Sequence, residues 1–308
     1  MNDMNTKGKI RGRGSFSRQS FSDRAFDAVN WTIMILICVS VAYPLWFVLV
    51  ASFTDPNVVN QGRILLYPVK LFLGGYERIF RYPPLWKGYL NTLIYTAAGS
   101  AVSIAVTVPA AYSLSRRDMA GRRIIMFLFT FTMFFSGGII PLYLIIQKIH
   151  IYNTLWAMVL PGAVSVYNLI VCRSFFDTSI PQELLEASRL DGCTDFGFFF
   201  KIALPLSSTI IAVMVLFYAT GIWNAFMNAL MFMADQGKMP LQVIMRNLIL
   251  INQANMITTD ASEMIMRQKL AEQLKYGVIV VSALPLLLAY PFLQKYFVRG
   301  VMIGAVKG

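Results

Sequence analysis

The sequence predicts an all-α, polytopic membrane protein with six transmembrane helices and with both termini on the cytoplasmic side. Three features support this prediction: an apolar composition, six long apolar runs, and the distribution of lysine and arginine around them. Of the 308 residues, 57% are hydrophobic and only 14% are charged, whereas soluble domains carry about a quarter of charged residues. The mean hydropathy is +0.59. A chain of this length could bury a soluble core, so its length does not explain the apolar excess.

Six runs are long and apolar enough to cross a bilayer, which takes about 20 residues of helix. They cover Ala28–Phe53, Tyr89–Leu114, Ile124–Ile146, Thr154–Cys172, Leu206–Ala229 and Val278–Leu293. The first run is too long for the apolar core of a signal peptide, and no small-residue cleavage site follows it. Residues 1–25 are therefore predicted to form a basic cytoplasmic tail, and residues 26–308 the transmembrane domain.

The basic residues determine the predicted orientation, because short cytoplasmic loops hold an excess of lysine and arginine. With a cytoplasmic N-terminus, the cytoplasmic segments hold 16 of the 27 basic residues. Four of these lie in the short loop between the second and third spans: Arg116, Arg117, Arg122 and Arg123. Residues 176–204 are then a cytoplasmic loop and residues 235–276 an extracytoplasmic one. Basic loops against membrane lipid account for the net charge of +12, so nucleic acid is not expected as a partner.

The spans contain no group that would drive transport or catalyse a reaction. None of the six runs contains Asp, Glu, Lys, Arg or His, whereas ion-coupled carriers usually keep an ionisable residue at membrane depth. A sodium site built from carbonyls and hydroxyls stays open, so an ion-coupled secondary transporter and a non-transporting interaction protein remain alternatives. No G-x-x-x-x-G-K-[ST] phosphate loop occurs. The lone His150 and three scattered cysteines predict neither a catalytic group nor a metal site. If the protein moves a solute uphill, another subunit supplies the work.

One short segment is unusually acidic, since five of the fifteen carboxylates lie within residues 177–195. Pro181 suits the first turn of a helix, where a missing N–H costs nothing. Glu183 and Glu186 follow three residues apart, where negative charge complements the helix dipole. Gly192 supplies the permissive residue that ends such a helix. The segment is predicted to be a short amphipathic helix–turn–helix on the cytoplasmic face, either as an interfacial connector or as a docking element for a cytoplasmic partner.

The spacing within this segment resembles the EAA signature of ABC-importer permeases. The family pattern is E-A-A-x3-G-x9-I-x-L-P, and Glu186 to Pro205 follow it with one departure, Ser188 for the second alanine. The stretches "FSGGIIPLYLIIQKIHIYNTLWAMVLPG" and "YATGIWNAFMNALMFMADQGKMPLQ" and the ending "KYFVRGVMIGAVKG" are similar to carbohydrate-uptake permeases of the LplC-like branch of the maltose-permease-type family. The resemblance covers nearly the whole chain after about Arg18.

The resemblance implies a type I ABC importer fold in a bacterial plasma (inner) membrane. It implies a heterodimer with a second, homologous permease, two ATP-binding cassette subunits that hold ATP and Mg²⁺, and an extracytoplasmic solute-binding protein that delivers an oligosaccharide. The chain itself would hold no cofactor and would not be an enzyme. The acidic loop would form the coupling helix that docks on the ATPase. The coupling residues implied are Glu183, Glu186, Ala187, Arg189, Asp191 and Gly192.

Uncharged polar and aromatic side chains within the spans are the candidates for contact with a sugar, which offers hydroxyls and flat apolar faces. The candidates are Asn168 in the fourth span and Tyr218, Trp223, Asn224 and Asn228 in the fifth. Asn224 and Asn228 lie four residues apart, on one side of a helix. Ser136, Gly137 and Gly138 are weaker candidates. Asparagine in a span also bonds to neighbouring helices, so a structural role stays open, and the partner permease could hold the sugar instead.

Overall fold

The structure, a computed structural model, is helical throughout its regular elements, which confirms the all-α prediction. It describes residues 21–62, 66–254 and 261–305. Within these ranges the one exception to helix and loop is an isolated bridge between Thr54 and Leu71. Most of the predicted basic tail, residues 1–25, lies outside the described ranges.

The helices follow one another without a second domain among the described residues. Their bounds are α1 (Phe21–Phe53), α2 (Pro56–Asn60), α3 (Gly74–Phe80), α4 (Pro83–Ser115), α5 (Arg122–Phe134), α6 (Ile139–Lys148), α7 (Leu155–Val159), α8 (Val166–Ser179), α9 (Gln182–Leu190), α10 (Asp195–Phe198), α11 (Leu204–Leu206), α12 (Ser208–Trp223), α13 (Phe226–Phe232), α14 (Leu241–Ala254) and α15 (Ala261–Ala305). Short 3₁₀ turns occupy Leu160–Gly162 and Gln236–Lys238, and a π-helical turn occupies Phe199–Ala203.

Up to six of these elements can cross a membrane. Three single helices are long and apolar enough, over Asp23–Phe53, Pro83–Ser115 and Ile265–Leu288. Three bent pairs supply the others: α5 with α6 at 112°, Leu155–Gly162 with α8 at 55°, and Asp195–Leu206 with α12 at 77°. The structure therefore accommodates the six predicted spans, but three of them are broken helices and not straight ones.

The breaks fall at residues that end or restart a helix. Between α5 and α6, Gly138 adopts φ +83°, a conformation that glycine takes without strain. Before α8, the extended Ser165 caps the new helix by accepting a hydrogen bond from the Asn168 N–H at 3.4 Å. Before α12, Pro205 lies in the one-turn helix α11, which stops at Leu206. The length of an apolar run predicts that a segment lies in the membrane, but it does not predict whether the helix in that segment is continuous. Run length alone therefore does not reveal these breaks.

The centre of the bundle is α4, which packs along its length against α8 and α12. Its buried face is rich in small residues, among them Gly99, Ser103, Thr107 and Ala111, which let helix backbones approach closely inside a membrane. A Cβ added to Gly99 would lie 2.6 Å from the Cδ1 atom of Ile222 on α12. A larger side chain at this point of the α4–α12 seam would therefore require the Ile222 side chain to move.

At one end of the bundle, Gln273 fastens α15 to α1 and to the segment around α3. Its Nε2 atom donates to the carbonyls of Ser52, at 3.0 Å, and Phe72. Its Oε1 atom accepts from the Gly75 N–H at 2.7 Å, and the Gln273 side chain is fully buried. We call these four residues the Gln273 clasp. The predicted extracytoplasmic loop, residues 235–276, thus contains α14 and the packed start of α15.

Candidate coupling loop and transport cavity

The loops predicted to be cytoplasmic meet at the other end of the bundle. Arg116, directly after α4, bonds to Asp195 at the start of α10 with an Nη1–Oδ1 distance of 3.0 Å. At the Gln273 end, the predicted outer loops also meet: the Asn153 N–H donates to the Phe232 carbonyl at 2.9 Å, and its side-chain oxygen accepts from the Asp235 N–H at 3.1 Å. These contacts agree with the predicted assignment of the loops to two sides of the membrane. Which of the two sides faces the cytoplasm stays a prediction from the distribution of the arginines.

The acidic segment folds as the predicted helix–turn–helix. Pro181, with φ −61° and ψ 144°, is the N-cap of α9, so the helix begins one residue later than proline in the first turn would require. The following helix, α10, is capped by Thr194, whose hydroxyl accepts a hydrogen bond from the Gly197 N–H at 3.1 Å. Both helix starts therefore depend on local residues that the sequence shows directly.

The end of α9 is a complete Schellman motif. The Gly192 N–H donates to the Arg189 carbonyl at 3.0 Å, and the Cys193 N–H donates to the Ser188 carbonyl at 2.9 Å. Gly192 adopts φ +77°, and no atom lies within 4 Å of the position a Cβ would occupy. Glycine is required here by the backbone conformation and not by crowding, which confirms its predicted role as the residue that ends the helix.

Helix α9 has an exposed face and an anchored face. The exposed set contains five of the predicted coupling residues: Glu183, Glu186, Ala187, Asp191 and Gly192. Leu190 beside them is 90% exposed. Ser188 faces inward, where its hydroxyl donates to the Leu185 carbonyl at 2.7 Å, so the departure from the family's alanine is accommodated. The sixth predicted residue, Arg189, folds back onto the body of the protein.

Arg189 belongs to a closed ring of charged side chains, which we call the ion ring: Arg116, Asp118, Arg189 and Asp195. Arg116 donates to Asp118 through Nε at 2.9 Å and to Asp195 through Nη1 at 3.0 Å. The Nη2 atom of Arg189 donates to Asp118 at 3.0 Å and to Asp195 at 3.2 Å. Each carboxylate thus accepts from both guanidinium groups, and the ring is neutral as a whole.

The ring stabilises the charged form of each member. Hydrogen bonds from Arg116 hold the pKa of Asp118 well below its ordinary value, against the raising effect of burial, and Arg189 lowers it further. Hydrogen bonds to Asp118 raise the pKa of Arg116 in turn. The side chains of Asp118 and Asp195 are 47% and 57% exposed, so water screens each pair. The ring therefore owes its strength to the number of bonds and not to a dry environment.

A cavity of ≈ 600 Å³ lies between α8, α12 and α13, and no charged residue lines it. Four of the five predicted pathway residues are among its lining: Asn168, Tyr218, Asn224 and Asn228. Ser165 and Thr220 add hydroxyl groups to the same wall. The cavity is therefore uncharged, with a few amide and hydroxyl groups on a largely apolar wall, and it has the size range of small-molecule sites.

Two asparagine side chains in the cavity are available to a ligand. The Asn224 amide donates to the Thr220 carbonyl at 2.9 Å. Within the described part of the chain, the side-chain amides of Asn168 and Asn228 have no hydrogen-bond partner, although Asn168 is only 7% exposed. Amides without a protein partner bond to water or to a polar ligand, so these two side chains are available to a polar occupant of the cavity. Residues 136–138, the weaker candidates, lie in the exposed α5–α6 break.

Tyr218 and Trp223 have different surroundings. The Tyr218 hydroxyl bonds to the Thr107 hydroxyl at 2.7 Å and accepts from the Ser165 N–H at 3.2 Å, so it is a fixed part of the cavity wall. Trp223 is 4% exposed, does not line the cavity, and donates from Nε1 to the Ser282 carbonyl of α15 at 3.4 Å. The structure gives Trp223 a packing role, and its place in a substrate pathway stays untested.

Broken spans around an uncharged cavity, with an exposed helix on the loop before the penultimate span, form the arrangement expected of a transport permease. The chain matches the family described as "Binding-protein-dependent transport system inner membrane component" over residues 12–303, and it belongs to that family. It is 39% identical to the polygalacturonan/rhamnogalacturonan transport system permease protein YtcP of Bacillus subtilis (strain 168), covering 93% of this chain and 99% of that protein. It is 36% identical to Protein LplC of the same organism, covering 92% and 96%.

A solved structure is also similar. It is that of a bacterial ABC transporter involved in the import of the acidic polysaccharide alginate, with a TM-score of 0.78 and 31% identity over 91% of this chain and 99% of that chain. The predicted carbohydrate ABC importer family, the polytopic fold and the inner-membrane location are thus confirmed. The chain is the multi-pass permease of a binding-protein-dependent ABC transporter complex, and the ATPase is a separate subunit.

Proposed function

We propose that this chain is one half of the membrane channel of an importer for oligosaccharides derived from acidic polysaccharides. The names of the similar proteins, which refer to polygalacturonan, rhamnogalacturonan and alginate, support this substrate class. The single observation on which the transport role depends is the uncharged cavity, whose unpartnered amides can bond to sugar hydroxyls, so the positive charge that pairs with an acidic sugar has to come from the partner permease or from the loops. The other half is a second, homologous permease. Two ATP-binding cassette subunits hold ATP and Mg²⁺, and an extracytoplasmic solute-binding protein delivers the sugar.

The coupling surface in this proposal is the exposed face of α9. Closure of the two ATPase subunits on ATP draws α9 inward, and α12 follows because α10 and α11 join the two helices directly. The cavity wall then moves with α12, which changes the side of the membrane to which it opens. The end of α9 at Gly192 has to keep its shape for a docked subunit to move the helix as a unit.

The coupling role is tested by comparing two glycines with the same backbone strain. Gly192 and Gly121 have φ +77° and +75°, and neither has an atom within 4 Å of a Cβ position. Valine at either position introduces about 1–2 kcal/mol of strain. In proteoliposomes that hold the whole complex, we expect Gly192→Val to lower sugar uptake at least about fivefold while ATP hydrolysis continues. Gly121→Val should retain uptake, and an equal loss in both variants would contradict the proposal.

The cavity's role is tested by replacing its free amides with a side chain of similar shape. Loss of one hydrogen bond to a sugar hydroxyl lowers binding by about 1 kcal/mol, so Asn168→Leu and Asn228→Leu should each raise the KM for uptake about fivefold. The matched control is Asn57→Leu, since Asn57 is exposed on α2 and does not line the cavity. An unchanged KM in both cavity variants would show that the partner permease holds the sugar.

A further inference from the structure

The ion ring joins two regions that are far apart in the sequence, residues 116–118 and residues 189–195. Arg116 follows α4 directly, Arg189 lies in the last turn of α9, and Asp195 is the first residue of α10. The bonds between them span 71 and 79 residues of sequence. Among the described residues, the ion pairs of α9 are those of the ring. The ring therefore connects the coupling helix to α4, a helix to which it has no direct chain connection.

The ring holds the end of α4 firmly because Arg116 is itself wedged into the bundle. The Arg116 side chain is 13% exposed, and its Nη1 atom donates to the Tyr112 hydroxyl at 3.3 Å. The Tyr112 ring packs against Phe176 and Phe199, with centroids 5.6 and 4.9 Å apart. Arg116 cannot swing into solvent without leaving this aromatic cluster. A force that displaces the ion ring therefore also displaces the last turn of α4.

Helix α4 continues from the ring to the wall of the cavity. It is one unbroken helix through Pro109 to its last residue, Ser115. Further along the same helix, the hydroxyl of Thr107 bonds to that of Tyr218 at 2.7 Å, and Tyr218 lines the cavity. A displacement of the α4 end thus reaches the cavity through a second route, separate from the covalent route through α10, α11 and α12.

We propose that Arg116, Asp118, Arg189 and Asp195 are positioning residues that make the end of α4 move together with α9. This inference rests on the proposed function, because it assumes that an ATPase subunit displaces α9. The displacement of α9 by the ATPase is then transmitted to α4 and α12 together, so the two packed helices move as a unit. Without the ring, α9 still displaces α8 and α12, to which the chain joins it, but the end of α4 follows only through the packing of Tyr112 and the bond from Arg173 to the Leu114 carbonyl, so less of the ATP hydrolysed is matched by a change at the cavity.

The test compares neighbouring charged residues of the same loop. Asp118→Asn keeps the shape of the side chain and removes its charge from the ring, whereas Arg117→Gln removes an exposed charge outside the ring. In the full complex in proteoliposomes, we expect Asp118→Asn to lower the amount of sugar transported per ATP hydrolysed about 3- to 10-fold. Arg117→Gln should leave that ratio unchanged. Asp195 still bonds to both arginines in Asp118→Asn, so adding Arg189→Gln, which removes every ring contact of α9, should lower the ratio further.

Two outcomes would overturn the proposal. The first is a ratio for Asp118→Asn equal to that of Arg117→Gln. The second is loss of the ATPase from the purified complex, since the ring would then belong to the docking surface. If Asp118→Asn does not fold, Arg189→Lys serves instead: lysine keeps the charge but lacks the planar fork that reaches both carboxylates. We expect about a twofold lower ratio for it, and an unchanged ratio would overturn the proposal equally.

Failure of the ring proposal and failure of the proposed function give different results in the same preparation. If Gly192→Val uncouples uptake and Asp118→Asn does not, α9 is the coupling helix and the ring is a passive fastening. If Gly192→Val leaves uptake intact, α9 does not couple the ATPase, and the ring proposal falls with the proposed function.

Discussion

At one end of the bundle, Gln273 fastens α15 to two other segments with neutral hydrogen bonds in a fully buried site. At the other end, the ion ring fastens α9 to α4 with charged groups that are largely open to water. Opening a buried clasp leaves amide and carbonyl groups unsatisfied, which is costly. Opening an exposed ion pair returns its members to water at little cost. The clasp is thus a buried, neutral contact, whereas the ion ring is a partly exposed, charged contact at the end predicted to face the cytoplasm.

The largest effect expected from this comparison is at the clasp. Gln273→Ala leaves the Gly75 N–H and two carbonyls without partners, so we expect the free energy of unfolding to fall by about 3 kcal/mol or more. The control is Gln268→Ala on the same helix, where the exposed amide donates only to Glu272 at 3.4 Å. Its effect should be below about 0.5 kcal/mol. Thermal unfolding in detergent measures both, and similar losses would mean that the clasp does not hold the outer end.

A smaller effect is expected at the ion ring, and it should be independent of pH over the neutral range. The arginines lower the pKa of Asp118 and of Asp195. The stabilisation from such carboxylates is complete above their unfolded-state pKa of about 3.9, and it is lost only as the pH falls below that value. The Tm difference between the parent and Asp118→Asn should therefore stay at about 2 °C from about pH 8 to pH 5. A difference that narrows towards pH 5 would show that the pKa values of the ring carboxylates are raised and not lowered, which would contradict this prediction.

The coupling loop was predictable from sequence because its determinants are local. Pro181, Gly192 and Thr194 each fix a helix start or end within a few residues of themselves. The ion ring was not predicted, since it depends on which loops meet in space. A signal was present: a loop with four arginines and a segment with five carboxylates were assigned to the same side of the membrane. Opposite charges on two loops that lie on the same side of the membrane indicate that the loops are in contact. They do not identify Asp118 and Arg189 as residues that bond to each other.

The cavity was predicted in part. Asn224 and Asn228 were grouped as residues four apart on one helix, but Asn224 is the C-cap of α12 and Asn228 lies on α13, so they line the cavity from two helices and not from one helix face. Trp223 was grouped with Asn224 as its neighbour in sequence. Adjacent helical residues point about 100° apart, and Trp223 packs instead on α15. The breaks at Gly138 and Ser165 were missed because the predicted apolar runs continue across both residues.

The length of α4 has a mechanical consequence. Its 33 residues extend about 50 Å at 1.5 Å per residue, whereas the hydrocarbon core of a bilayer is about 30 Å thick. The helix is therefore a rod whose two ends project beyond the lipid, with Arg116 at one tip. Tilting such a rod by about 5° around its middle displaces each tip by about 2 Å. The helix therefore acts as a lever: a displacement of a few ångströms at the end outside the membrane tilts the part inside the membrane.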